Sequence, residues 1–271
     1  MLHKLVPNFQ EFSTCLRCLR LWAKKRLIYS NKAGYMGGVN YAILAAFVTQ
    51  LYPNACAATL MENLFTVMLT WIWPTPIMLC KRYEPGLYME QWDPAINYRN
   101  KRDIMPIITP AYPIMNSCYS TNQSSKKVMM EEFRRAKEIF GKSKEAIIMA
   151  TAKEAKHIDS LVGELDALFE PFDFFPSFGD FLVIEITAND ELQLSQWEGY
   201  VDSRFRQLVL QFERLRLPFS VVRLHPKRFS GTMEEDSGRA GSCGVIGLRP
   251  DEKRLQKGTP VDLRPAIEWF L

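Results

Sequence analysis

Residues 170–187 read Glu-Pro-Phe-Asp-Phe-Phe-Pro-Ser-Phe-Gly-Asp-Phe-Leu-Val-Ile-Glu-Ile-Thr, and here the chain changes its period. Upstream, apolar residues recur at helical spacing. Pro171 and Pro176 then break the pattern, and Phe181 to Thr187 has the composition of a strand. Further downstream the spacing predicts a helix over about Leu192–Leu215, a strand at Phe219–Leu224 and a short strand at Gly244–Leu248. A last helix is expected from Pro260 to Leu271. Toward the N-terminus the pattern is helical throughout. Leu16, Leu19, Trp22, Ala23 and Leu27 line one face of a helix over 8–28. Asn8 is its expected N-cap, with Glu11 as capping-box partner. Further helices are expected at about Asn40–Leu51, Ala57–Trp71, 124–141 and 143–168. Residues 74–125 carry seven prolines, which forbid long helices there. A stretch this long without regular structure is functional or wraps another element. The expected organisation is an all-helical domain over 1–170 followed by an α+β domain over 171–271. No internal repeat is visible.

At 271 residues, 47% hydrophobic and 24% charged, the chain can bury a core, and wholesale disorder is excluded. Its net charge of +4 is unevenly placed. Residues 1–35 hold seven bases and one acid. Residues 1–170 hold 21 bases against 15 acids, and 171–271 hold 13 against 15. A basic N-terminal segment suits a polyphosphate or nucleic acid, and equally suits a solvated helix face. The six cysteines include one close pair, Cys15-Leu-Arg-Cys18. Without a second pair or histidine partners it reads as buried structural thiols rather than a zinc site, in a reducing compartment. No apolar segment follows Met1-Leu-His-Lys4, so no secretory leader is expected. Leu64–Trp73 is about half the ~20 residues a membrane span needs, and reads as a buried helix.

Gly34-x-x-Gly37-Gly38 opens a helix, where backbone N–H groups could meet phosphate. It matches no established phosphate-loop spacing, and a tight turn with close helix packing accounts for it equally well. The three histidines (3, 157 and 225) are too dispersed for a metal site, and His225, before Pro226 at a strand end, is expected at the surface. Glu164/Asp166 falls in a helix, where residues two apart do not share a face. Glu234/Asp236 falls in a polar loop. Neither pair looks like a two-metal site, and the residues taken alone give no catalytic constellation.

A set of ordered motifs says more. Leu21-Trp-Ala-Lys24, Ile28-Tyr-Ser-Asn31, Gly34-Tyr-Met-Gly-Gly-Val39 and Gln50-Leu-Tyr-Pro-Asn-Ala55 follow at close spacing. Trp92-Asp-Pro94, Met105-Pro-Ile-Ile-Thr-Pro-Ala-Tyr-Pro113, Trp197-Glu-Gly-Tyr-Val-Asp-Ser203 and Ile246-Gly-Leu248 come later. Together they resemble the eukaryotic nuclear poly(A) polymerase family over nearly the whole chain, most strongly in 16–115. The resemblance implies the family's helical central domain for 1–170 and its RNA-binding domain, of ferredoxin-like (RRM-like) fold, for 171–271. The family's catalytic domain carries a Gly-Ser element, an Asp-x-Asp pair and a third Asp. This sequence contains no Asp-x-Asp, and its Gly241-Ser242 lies in the other domain. The chain therefore resembles the part of such an enzyme that follows the catalytic domain. The resemblance gives it no catalytic or metal-binding residue of its own.

Carried over residue by residue, the resemblance implies that Tyr29 and Asn31 contact incoming ATP and that Gly38 and Val39 wall its adenine. Arg20 stands where the family usually has a Lys that reaches the triphosphate; charge is kept, but a planar fork replaces a point charge. Met115 matches a position near the nucleotide and the primer end. Arg223, Lys227 and Arg228 are the expected local RNA patch in an otherwise acidic domain. The implied activity is transfer of AMP from ATP to RNA 3′ ends in mRNA polyadenylation. Mg²⁺ or Mn²⁺ would serve the full-length enzyme, with none bound by this chain alone. The implied partners are ATP, an RNA 3′ end and 3′-end processing factors, in the nucleus and without a membrane. Two other readings stand beside it: an RNA-binding module with no enzymatic activity, and a uridylyl-transferring relative. The latter usually lack a C-terminal domain of this type.

Overall fold

The computed structural model describes residues 2–151, 165–230, 240–256 and 259–270. The chain divides into two compact units. The first comprises 1–29, 36–121 and 129–172; the second comprises 30–35, 122–128 and 173–271.

The first unit is helical. α1 spans Phe9–Lys25, α2 Gly38–Leu51 and α3 Ala57–Thr70. α4 spans Gln123–Thr151, its first turn counted with the second unit. Asn8 caps α1 as expected, its side chain accepting from the Glu11 N–H at 3.2 Å. The Glu11 carboxylate does not close a capping box. It accepts from the N–H of Ala57 at 2.6 Å, at the first residue of α3. A carboxylate there meets both an unpaired N–H and the positive end of the helix dipole. The core is built on Trp22, whose ring lies 4.8 Å from Phe65 and 5.7 Å from Phe133. Leu64, Phe65 and Met68 are buried, so the apolar run of α3 is a core helix as expected. Among the described residues, no helix is long and apolar enough to cross a membrane. At the end of α1 the buried Arg26 donates to Glu132 of α4 at 2.7 and 3.3 Å and to the Glu170 carbonyl at 2.9 Å. Cys15 is buried, its thiol pushed up to about 12 by that burial and by Cys18. Of the close cysteine pair, expected to be buried, Cys18 is only half-buried.

Two helices were expected over 124–168 with a break near Gly141. Instead α4 runs through Gly141 without interruption. One exposed glycine costs a helix only about 1 kcal/mol, less than the burial of Val128, Met129, Phe133 and Ala136 on the same helix. Residues 152–164, with His157 and Glu164, lie outside the described residues, as does the Glu234/Asp236 pair. The proline-rich segment has a small core of its own, Trp92, Ile108 and Ile114.

In the second unit β1 (Asp180–Ala188), β2 (Phe219–Leu224), β3 (Phe229–Ser230) and β4 (Ala240–Pro250) form one antiparallel sheet in the order β1-β4-β2, with β3 also on β4. α5 (Glu191–Arg214) crosses between β1 and β2, and α6 (Arg264–Phe270) follows β4. Both β1 and β2 are antiparallel to β4. They therefore run parallel to each other across a helical crossover, the split β-α-β plan of ferredoxin-like domains. β4 is twice the length expected. Two of its glycines sit under aromatic rings. A Cβ on Gly244 would collide with Phe205 of α5, and one on Gly247 would stand 2.5 Å from Phe178.

Candidate functional site

In the first unit, α1 presents Arg20 and Lys24 one turn apart on its exposed face. The helix ends at Arg26, and Leu27 (φ 55°) turns the chain sharply. Ile28 then buries, and Tyr29 bridges Met36. The Tyr29 ring stacks nearly parallel on Tyr41, with centroids 5.7 Å apart and planes at 4°. Tyr41 is fixed from below, donating its hydroxyl to the Ile28 carbonyl at 2.9 Å. Burial pushes the Tyr41 phenol well above its ordinary value, so it stays neutral. Two cations flank Tyr29: the Arg20 guanidinium lies 5.8 Å and the Lys24 ammonium 5.4 Å from its ring centre. Both are within cation–π range. The Tyr29 hydroxyl reaches the start of α2, where it would stand 2.8 Å from a Cβ on Gly38. Val39 is 57% exposed at the same helix start.

Four of the expected nucleotide-side residues, Arg20, Tyr29, Gly38 and Val39, thus lie around one ring and one helix N-terminus. Such a place offers positive charge, free N–H groups and an aromatic surface to a phosphorylated base. Lys24 completes the group. Its place one helical turn after Arg20 is the signal for it in the sequence. Asn31 belongs to the segment 30–35 counted with the second unit. Its side chain is exposed, and its carbonyl accepts from the Gly34 N–H at 3.1 Å. Met115 is 47% exposed in the first unit, its backbone paired with Thr109.

The expected RNA patch of the second unit is not one surface. Arg223 is buried, Lys227 is exposed and Arg228 is half-buried. The Arg228 fork holds Asp202 at 2.6 and 2.8 Å and the Glu198 carbonyl at 2.8 Å, over the Phe205 ring. That arginine ties β3 to α5. His225, expected at the surface, is half-buried between the rings of Phe174 (4.8 Å) and Phe229 (4.7 Å). Desolvation pushes its pKa down. Among the described residues, no group of three or more His, Cys, Asp or Glu side chains converges to hold a metal ion.

The chain thus carries a helical unit with a cationic aromatic site and a ferredoxin-like α+β unit. The chain belongs to the poly(A) polymerase family. The family's "Poly(A) polymerase central domain" model matches residues 11–154, and the "Poly(A) polymerase predicted RNA binding domain" model matches 173–240. The chain is 40% identical to nuclear poly(A) polymerase 1 and 46% identical to nuclear poly(A) polymerase 4 of Arabidopsis thaliana, in each case over 98% of its length. It is 37% identical to the poly(A) polymerase of Dictyostelium discoideum over 89% of its length. It spans about a third of the length of the Arabidopsis relatives (35% and 34%) and 27% of the Dictyostelium one.

Proposed function

We propose that this chain provides the nucleotide-side and RNA-binding parts of a nuclear polynucleotide adenylyltransferase, which moves AMP from ATP onto RNA 3′ ends. Its domains on this reading are 1–170 and 171–271. The observation that carries the reading is the stack of Tyr29 on Tyr41, with Arg20 and Lys24 over it and the start of α2 beside it. Base or ribose meets the aromatic surface and the Gly38–Val39 corner, while the two cations face the triphosphate. Asn31 and Met115 are assigned to ATP and to the primer end on the family resemblance. The in-line displacement itself uses Mg²⁺ or Mn²⁺ held by carboxylates. On this reading those carboxylates come from the family's catalytic domain, which the resemblance does not place in this sequence.

The test is primer extension on an oligo(A) RNA with ATP and Mg²⁺. The 271-residue chain alone should add no nucleotide. With a catalytic domain of the family joined before residue 1, extension should appear. Tyr29→Ala and Arg20→Ala in that enzyme should then raise KM for ATP and lower kcat/KM by about 10- to 100-fold, the loss of one hydrogen bond or charge contact. Arg20→Lys should be tolerated. An unchanged KM for ATP in both alanine variants would remove the nucleotide assignment.

A further inference from the structure

The segment 81–102 of the first unit is exposed at most of its residues, yet its backbone is tightly held. Glu84 Oε1 accepts from the N–H groups of Gly86, Leu87 and Tyr88 at 3.0–3.2 Å. Its Oε2 accepts from the Tyr112 hydroxyl and the Gln91 amide, both at 3.1 Å. Asp93 takes Arg82 at 2.7 Å, Glu90 takes the Asn97 amide at 2.6 Å, and Asp103 takes the Trp92 indole at 2.8 Å. All four carboxylates therefore serve the loop's own architecture. The cations Lys81, Arg99 and Lys101 do not; they are exposed, and none forms an ion pair among the described residues. Between them stand two rings turned to solvent, Tyr88 (85% exposed) and Tyr98 (67% exposed). The Arg102 guanidinium lies 4.5 Å from the Tyr98 ring centre and steadies it. A cleft of about 500 Å³, lined by polar and apolar side chains that include Arg82, Glu90, Asp93, Ile96 and Tyr98, opens alongside.

We propose that this loop is a platform for single-stranded RNA, with bases stacking on Tyr88 and Tyr98 and phosphates meeting Lys81, Arg99 and Lys101. It rests on the reading of the chain as part of an RNA-extending enzyme, and adds a contact on the central domain that neither family description names. Exposed rings on a backbone fixed by internal hydrogen bonds lose little entropy when a base stacks on them. Rings flanked by uncompensated cations are the arrangement by which sequence-tolerant single-strand binding works.

The test is fluorescence anisotropy of a fluorescein-labelled 15-nucleotide oligo(A) RNA with the full 271-residue chain, between about 50 and 200 mM salt. Tyr88→Ala/Tyr98→Ala should weaken binding about 10- to 100-fold, while Tyr88→Phe/Tyr98→Phe keeps it, because stacking needs the ring and not the hydroxyl. Arg99→Gln/Lys101→Gln should lower the slope of log affinity against log salt by about 0.7 per lost phosphate contact. All these side chains are exposed, so melting temperatures should stay with the parent chain. Full RNA affinity in the double alanine variant, or no RNA binding by the parent chain, would overturn the platform. Restored primer extension in the joined enzyme would still support the adenylyltransferase reading on its own.

Discussion

Gly38 is explained by its neighbour's oxygen. Its backbone conformation is open to other residues, but a Cβ there would press on the Tyr29 hydroxyl while touching little else, the next atom being ring Cζ at 3.9 Å. Gly38→Ala should therefore push Tyr29 off its stack on Tyr41, at about 0.5–1.5 kcal/mol for the lost aromatic pair. In a Tyr29→Phe background the same alanine should be neutral, or stabilising by up to about 1 kcal/mol from helix propensity. A double-mutant cycle by thermal melting measures this coupling; strict additivity would mean that ring and helix start do not meet. The sequence named both residues through a resemblance, but their contact depends on a stack no spacing reveals. His225 was legible only as a polar residue before a proline, and its aromatic surroundings reverse that reading. Its pKa is lowered from the ordinary 6.5 by desolvation, so the fold favours the neutral ring. Its stabilising contribution is present above about pH 6.5 and is lost as pH falls toward the lower folded value. Melting temperature should drop from pH 7.5 to 5.5, and His225→Phe should flatten the drop. An equal drop in the variant would mean that other groups carry it.

At the scale of elements, charged side chains fix where helices begin and end. Glu11, on the first turn of α1, caps α3 from 46 residues away. Glu11→Ala should cost about 0.5–2 kcal/mol, the usual worth of a helix cap, and Glu11→Gln less. A capping box seemed to account for Glu11 from spacing alone; spacing reports the nearest partner and not the one that folding brings in. Arg26 and Glu132 have the same tertiary character. Glu132→Ala should cost about 3–5 kcal/mol because it strands a buried guanidinium, whereas Arg26→Met/Glu132→Leu should cost much less. Urea unfolding decides it, and equal losses in both variants would mean that packing and not charge is at stake. Helix ends at prolines and the alternating apolar strands were readable because those signals are local. β3, two residues long, gave no period to read. β4 was cut short because Ala240 to Cys243 look like the end of a polar, glycine-rich loop until they are seen to pair with Glu185 to Ala188 of β1.

For the molecule as a whole, charge and composition set how much of a nucleotide site the chain can make by itself. The excess of bases lies in residues 1–170, while 171–271 carry a slight excess of acids, so phosphate attraction belongs to the first part. Even there the cations next to Tyr29 are two, Arg20 and Lys24, both on a solvent-exposed helix face. Exposed charge contacts are worth only about 0–1 kcal/mol each, and salt screens them further. A stacked ring adds about 1–3 kcal/mol for a base. Against these stands the cost of fixing a free ligand. ATP also carries a dense negative charge that a divalent ion would neutralise, and no carboxylate cluster among the described residues could hold one. The ATP affinity of the chain alone should then be near a Kd of about 1 mM, or about −4 kcal/mol. Raising salt should weaken it, and Tyr29→Ala should abolish it. Mg²⁺ should not tighten it, since nothing on this surface would bridge to the ion. Isothermal calorimetry with and without Mg²⁺ measures all of this. A Kd near 1 μM that strengthens with Mg²⁺ would mean that the chain completes a nucleotide and metal site by itself. The division of labour proposed between this sequence and a separate catalytic domain would then be wrong.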